Sequence, residues 1–360
     1  MRRWYRAPVG TIVRAVEWVE LAVALVLILA SAELFTNGGE WVGENFGLSE
    51  GVVGSVLAAV GTALPETILP LVAIAAGHAS GKEIGIGAIL GAPFMLSTLA
   101  MFVIGVSVLY FARGGRRSRD VRGDRRVLLQ DLGYFLVMYT LAVVGGLYHP
   151  KWYKWTLAAI LLVGYVIYVI RHFQSPAGKT EEAEATGEVR PLYLLRMVRR
   201  LQGRREEGQV APPTWASVTQ VIVSLVAMVG GARIFVIGVD RIATVFHVPP
   251  LALALLIAPV ATELPEKFNS VIWIRRRKDT LALGNVTGAM VFQSSFPVMI
   301  GMLLTPWRLS GDALVSAIVA LAAGAVLWVT LKIRGTLGAQ LLLAQGILYG
   351  AYVAYVVTRL

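Results

Sequence analysis

The chain has 360 residues, 56% of them hydrophobic and 15% charged, with mean hydropathy +0.68, net charge +11 and no cysteine. A soluble domain carries nearer a quarter charged residues, so an ordinary globular protein is excluded. The missing cysteines exclude disulfides, iron–sulfur clusters and thiolate zinc sites.

Apolar stretches long enough to cross a bilayer as helices, about 20 residues each, recur along the whole chain. The short alternating segments of a β-barrel do not. Ten spans are predicted, at about 16–36, 48–76, 83–111, 127–147, 153–173, 214–238, 249–275, 281–304, 311–333 and 338–358. The first follows "MRRWYR" and ends near Ala30-Ser31-Ala32, which has the form of a signal peptide with its cleavage site. The first span is kept as a helix because an internal repeat runs through Ala32. Between the spans, "RGGRRSRDVRGDRR", "RMVRRLQGRR", "RRRK" and "KIR" fall on one side, which the positive-inside rule makes cytoplasmic. Both termini then face outward; the basic N-terminus opposes this, and four loops outvote it. The longest connection, 174–213, opens with the flexible "SPAGKTEEAEATGE". It continues with Leu192, Leu195, Val198 and Leu201 at helical intervals among arginines. Such a basic amphipathic helix lies on an anionic membrane surface or serves as a solvated linker.

Residues 200 apart match: Ala32 with Ala232, Phe35 with Phe235, Gly38 with Gly238 and Phe46 with Phe246. Ala58, Val60, Thr62, Leu64, Pro65 and Glu66 then each meet an identical residue at 258, 260, 262, 264, 265 and 266. After a short gap, Gly87 and Gly91 pair with Gly284 and Gly288. The expected organisation is a five-helix repeat at 1–173, a cytoplasmic loop at 174–213 and a second five-helix repeat at 214–360. An odd number of spans per copy inverts one copy against the other, as in many secondary transporters.

The strongest match, "GTALPE" against "ATELPE", is also the least comfortable sequence for a membrane helix. Pro65 and Pro265 lack an N–H and release the carbonyls of Gly61 and Ala261. Such backbone is tolerated at membrane depth only where it is buried in protein or lines a cavity. Thr62 and Thr262 add hydroxyls one turn before Glu66 and Glu266, completing an oxygen set suited to hard cations. A buried glutamate needs a cation, a proton or a basic partner. Enzyme readings fare worse. The four histidines include no i, i+4 pair for a zinc protease. Asp120 and Asp124 lie in an arginine-rich loop, and no P-loop is present.

At these residues the chain resembles the cation/Ca²⁺ antiporter superfamily, which includes the sodium/calcium exchangers. Those proteins carry G-T-S-L-P-E motifs in the second and seventh helices and G-N-x-x-G-S-N-x-F-[N/D] motifs in the third and eighth. Here the motifs read "GTALPE", "ATELPE", "GAILGAPFML" and "GNVTGAMVFQ". "AELFTNGGEWVGENFGLSEGVVG" looks like the family's first helix and its loop. The resemblance implies an all-α membrane protein of ten helices in two inverted five-helix repeats. It implies Glu66 and Glu266 as central carboxylates binding the metal, Thr62 and Thr262 as hydroxyl ligands, and carbonyls near Ala59 and Pro259. In the family the first and sixth helices slide across the remaining core.

The chain departs from the pattern at Ala63 and Glu263, at Pro93 and Met290, and at Leu96 and Gln293. Leu96 removes a ligand, and Gln293 keeps an oxygen without the charge. Glu263 adds a carboxylate, with Lys267 at i+4 placed to cancel it. Three carboxylates would suit Ca²⁺; two would suit monovalent ions or protons. The leading expectation is therefore a secondary active antiporter that exchanges Ca²⁺ or another cation against Na⁺ or H⁺, with no cofactor. Its partners are the lipid bilayer and small cations, not nucleic acid; its membrane is expected to be a prokaryotic inner membrane, and a monomer is compatible with the sequence, which does not fix the oligomeric state. A non-transporting sensor with an exchanger fold is the alternative, and a passive channel the third.

Overall fold

The computed structural model describes residues 9–46, 58–113, 115, 117–148, 151–174, 190–202 and 212–359, the side chains of 9–16, 58–62, 151, 173, 200 and 201 excepted. The helices run as α1 (Val9–Asn45), α2 (Ala58–Ala75), α3 (Ala79–Met95) and α4 (Met101–Ala112), with a π-helical turn, Leu96–Ala100, joining α3 to α4. After β1 (Asp120–Val121) come α5 (Arg125–Leu147), α6 (Lys151–Phe173), α7 (Tyr193–Leu201), α8 (Thr214–Phe246) and α9 (Pro250–Thr262). The chain continues through α10 (Leu264–Arg275), α11 (Asp279–Leu304), α12 (Gly311–Arg334), β2 (Leu337–Gly338) and α13 (Ala339–Val357). Among the described residues the β-structure is one antiparallel bridge, Asp120 to Gly338 and Val121 to Leu337.

Eight helices are long and apolar enough to cross a membrane, with Ala63–Ala75 and Pro250–Thr262 as shorter apolar helices. The two short ones fall in the predicted spans carrying the Leu-Pro-Glu motifs. Residues 47–57, at the start of the first of these spans, lie outside the described residues, as does the whole of "SPAGKTEEAEATGE". In the second, Glu263 breaks the helix and Pro265 opens α10, where its missing N–H costs nothing. α1 and α8 run further than the predicted 16–36 and 214–238. Their more polar ends stay helical because the two helices pack against each other.

The chain forms two compact units, Met1–Ala73 with Glu182–Pro250, and Ile74–Glu181 with Leu251–Leu360. In the first, α1 lies against α8. A Cβ at Gly231 would stand 3.0 Å from Ile28 Cγ1 and 3.2 Å from the Ala24 carbonyl, so glycine there sets the helix spacing. The loop helix α7 is held by this pair. Trp41 Nε1 and Asn37 Nδ2 donate to the Arg190 carbonyl at 2.8 and 3.0 Å. The Tyr193 and Leu194 N–H groups, unpaired within the first turn of any helix, donate to Asn37 Oδ1 and Gln220 Oε1 at 3.1 and 2.8 Å. Gln220 Nε2 donates in turn to Asn37 Oδ1 and the Leu34 carbonyl, both at 2.9 Å. Leu192 is buried with Trp41 and Ala216, and Leu195 packs on them. The apolar side of this segment is thus spent partly on protein, with Met197 and Val198 left exposed. Asn37→Ala removes the Tyr193 acceptor and one Gln220 partner, a loss of about 1–3 kcal/mol. Amide exchange at 193–196 should rise by about tenfold or more while α11 is unchanged, as hydrogen-exchange mass spectrometry would read.

In the second unit α11 packs against α3, α5, α6 and α10, and α12 and α13 pack beside α5 and α4. The arginine-rich stretch after α4 is folded, not loose. Arg117 grips both oxygens of Asp279 at 2.9 and 3.1 Å and donates to the Ile274 carbonyl at 2.7 Å. Asp124 caps α5, accepting from the Arg126 and Val127 N–H groups at 2.8 and 3.2 Å. The Asp120/Asp124 spacing therefore reflects a bridge residue and a helix cap.

Candidate functional site

The second motif pair lies wholly in the second unit. α9 ends at Thr262 and Glu263 occupies the N-cap of α10, with helical backbone dihedrals, its carbonyl accepting the Lys267 N–H at 3.2 Å. Glu263 is completely buried, and neither carboxylate oxygen has a hydrogen-bond partner among the described residues. The Lys267 ammonium, also buried, lies 3.9 Å from Glu266 Oε2, and it donates to the Asn285 carbonyl at 3.4 Å. Its contact within 4 Å is with Glu266, and its charge acts on Glu263 as well, the residue that the i+4 spacing predicts. The Thr262 hydroxyl donates back to the Ala258 carbonyl at 3.1 Å, and the Pro259 carbonyl accepts the Glu263 N–H at 2.9 Å. Both oxygens keep acceptor capacity.

α10 packs on α11, which carries "GNVTGAMVFQ". Asn285 Nδ2 donates to Ser270 Oγ at 3.0 Å, tying the two helices, and Gln293 is buried. Thr287 donates to Asp131 Oδ2 at 2.6 Å, and Tyr168 donates to Asp131 Oδ1 at 3.1 Å. Asp131 is buried between α5, α6 and α11 and was not among the predicted site residues. Its signal was legible, because a lone carboxylate inside the predicted span 127–147 needs polar partners.

The first unit carries Pro65 and Glu66 within α2. Here the helix continues through Pro65 and Pro70, unlike its counterpart at Glu263. Thr67 returns its hydroxyl to the Ala63 carbonyl at 2.9 Å. The side chains of Ala59 and Thr62 lie outside the described set.

"GAILGAPFML" is built for packing. A Cβ at Gly87 would lie 2.4 Å from the Leu251 carbonyl oxygen, and one at Gly91 would lie 2.1 Å from that of Leu255 and 2.7 Å from Pro259 Cγ. These glycines let α9 lie backbone-close on α3. Leu96 is fully buried at the start of the π-helical turn. Beside it Phe94 stacks on Tyr349 at 5.3 Å and tilts against Tyr352 at 4.7 Å. Ser97 donates to the Phe94 carbonyl at 3.2 Å, and Thr98 donates to the same oxygen. Where the resemblance puts a ligand, this chain has an aromatic packing corner.

Apolar crossing helices, a proline-opened helix and buried carboxylates on it define a multi-pass membrane protein of the ion-exchanger class. The chain matches the family model described as "Sodium/calcium exchanger protein" over residues 16–174 and 216–360, and it belongs to that family. It is 24% identical over 299 residues to the candidate antiporter CaxA of Alkalimonas amylolytica, covering 79% of each chain. In fold it is similar to the crystal structure of the H⁺/Ca²⁺ exchanger CAX, with TM-score 0.63 and 14% identity over 95% of this chain and 86% of that one. It is likewise similar to the sodium–calcium exchanger NCX_Mj, with TM-score 0.52 and 21% identity over 94% of this chain and 97% of that one. It is an integral, multi-pass membrane protein.

Proposed function

We propose that the protein is a secondary active cation antiporter that works by alternating access, taking a cation and a driving Na⁺ or H⁺ in turn on Glu66 and Glu266. In this reading ten helices form two inverted five-helix repeats. α2 and the broken α9–α10 pair supply the two crossings beyond the eight long helices. Thr62, Thr262, Gln293 and carbonyls near Ala59 and Pro259 complete the oxygen set, and the α1–α8 pair is the moving element. The membrane is a prokaryotic inner membrane, and the unit is a monomer.

The observation that carries the proposal is the buried Glu263 carboxylate, without a hydrogen-bond partner among the described residues, beside Glu266 at a helix break. A charge so placed costs several kcal/mol unless a cation or proton neutralises it. Lys267 bears on the choice of ion. By occupying Glu266 it lowers the negative charge, which favours a monovalent ion or proton over Ca²⁺. Proteoliposome uptake with a panel of cations, each under imposed Na⁺ and H⁺ gradients, tests this. The expected result is uptake that follows one gradient and stops when that gradient is collapsed.

The non-transporting reading has one observation of its own, the fully buried Leu96 where the resemblance puts a ligand. Calorimetric titration with Ca²⁺, Na⁺, K⁺ and a pH series, showing no linked heat, would favour it.

A further inference from the structure

Away from the motif helices, the second unit contains a cavity of about 840 Å³ where α4 and α12 end and α13 begins. Its polar wall carries Arg113, Arg119 and Arg334, with Asp120 as the acid among the lining residues. Its apolar wall includes Leu109, Val329 and Ile333. The bridge between β1 and β2 frames it, and the Ala339 N–H donates to the Arg119 carbonyl at 2.9 Å. We propose that this cavity binds one anionic phospholipid, with the phosphate against the three guanidinium groups and an acyl chain along Val329 and Ile333.

The use made of neighbouring arginines separates this site from a merely basic loop. Arg117 is committed to Asp279, and Arg125 Nη2 donates to the Lys332 carbonyl at 2.6 Å. Arg113, Arg119 and Arg334 make no side-chain hydrogen bond or ion pair among the described residues. Three guanidinium groups against one carboxylate leave two positive charges facing the cavity. Arginine forks suit phosphate oxygens in two-point contacts. A soluble anion would satisfy the charge but not the other wall. Ile333 is 77% exposed and Val329 45% exposed on a membrane-crossing helix, so the cavity is continuous with the surface that meets lipid tails. Its volume falls within the range of small-molecule sites, about 300–1,000 Å³, enough for a headgroup and the first part of a chain. Basic pockets between helix ends on the cytoplasmic side attract anionic headgroups, and this is the side that the positive-inside rule assigns to these arginines.

The test uses the full chain, purified in detergent and titrated with phosphatidylglycerol or phosphatidylcholine, with bound lipid counted by native mass spectrometry. The wild type should hold one phosphatidylglycerol per chain and bind phosphatidylcholine about tenfold more weakly. Arg113→Gln/Arg119→Gln/Arg334→Gln should lose that preference by about tenfold, while Arg308→Gln, at an exposed residue of another loop, keeps it. Should the triple variant fail to fold, Arg119→Gln alone, in the loop, should still weaken phosphatidylglycerol binding. Equal binding of the two lipids by the wild type, or an unchanged preference in the arginine variants, overturns the proposal. Displacement of the lipid by inorganic phosphate at matching concentration also overturns it, marking a free-anion site instead.

Discussion

On the antiporter reading, Glu66→Gln and Glu266→Gln should each abolish gradient-driven cation exchange in proteoliposomes, a fall of about 100-fold or more, equivalent to about 3 kcal/mol of lost ion binding. Glutamine keeps the volume and one carbonyl oxygen but removes the charge that a bound cation or proton neutralises. The two variants differ in stability. Glu266→Gln removes the carboxylate 3.9 Å from the buried Lys267 ammonium, at a cost of about 1–3 kcal/mol. The double variant Glu266→Gln/Lys267→Met recovers most of that stability and none of the transport. Unchanged exchange in both single variants would sink the antiporter reading. Transport restored together with stability would show that Glu266 serves only to neutralise Lys267.

Gly91→Ala disrupts the fold of the second unit. Its Cβ would lie 2.1 Å from the Leu255 carbonyl oxygen and 2.9 Å from the Leu255 carbonyl carbon. Both are backbone atoms, so no side-chain rotation relieves the clash, and α9 would have to lift off α3. Overpacking of well-filled interiors typically costs about 1–3 kcal/mol and can cost more; a backbone collision belongs at the top of that range. The control is Gly350→Ala on α13, where nothing lies within 4 Å of the new Cβ. There alanine should be neutral or stabilise by up to about 1 kcal/mol. Thermal unfolding of the purified protein reads both, and a Gly91→Ala midpoint within about 2 °C of wild type would refute the close approach. A functional consequence comes with the structural one, because α9 carries Pro259 and Thr262 and leads directly into Glu263.

These two predictions draw on different sources. The choice of Glu66 and Glu266 comes from a local pattern, since proline and a carboxylate in an apolar run announce themselves through hydropathy and through the missing N–H. Gly91 was legible only as half of a repeated glycine pair. That its role is contact with the Leu255 carbonyl depends on a helix more than 150 positions away in the chain. Leu96 shows the same division. Its departure from the motif is visible in the sequence, while its burial, and the contacts of nearby Phe94 with Tyr349 and Tyr352, bring together residues about 250 apart.

By itself the sequence determined the membrane class, most of the crossing helices, the family and the two Leu-Pro-Glu segments. Each of these is written in short-range hydropathy, in proline chemistry or in a contiguous motif. The tertiary structure alone decided that Lys267 pairs with Glu266, that Glu263 is buried without a hydrogen bond, and that Asp131 joins Tyr168 to Thr287. It also decided that α7 docks through Asn37 and Gln220. The physical reason is that helix packing sets which polar groups meet, and at Glu263 it brings none within hydrogen-bond distance among the described residues. A buried polar group is satisfied by whichever partner the packing of helices brings within about 3 Å, and that partner is set by helix position, not by spacing along the chain.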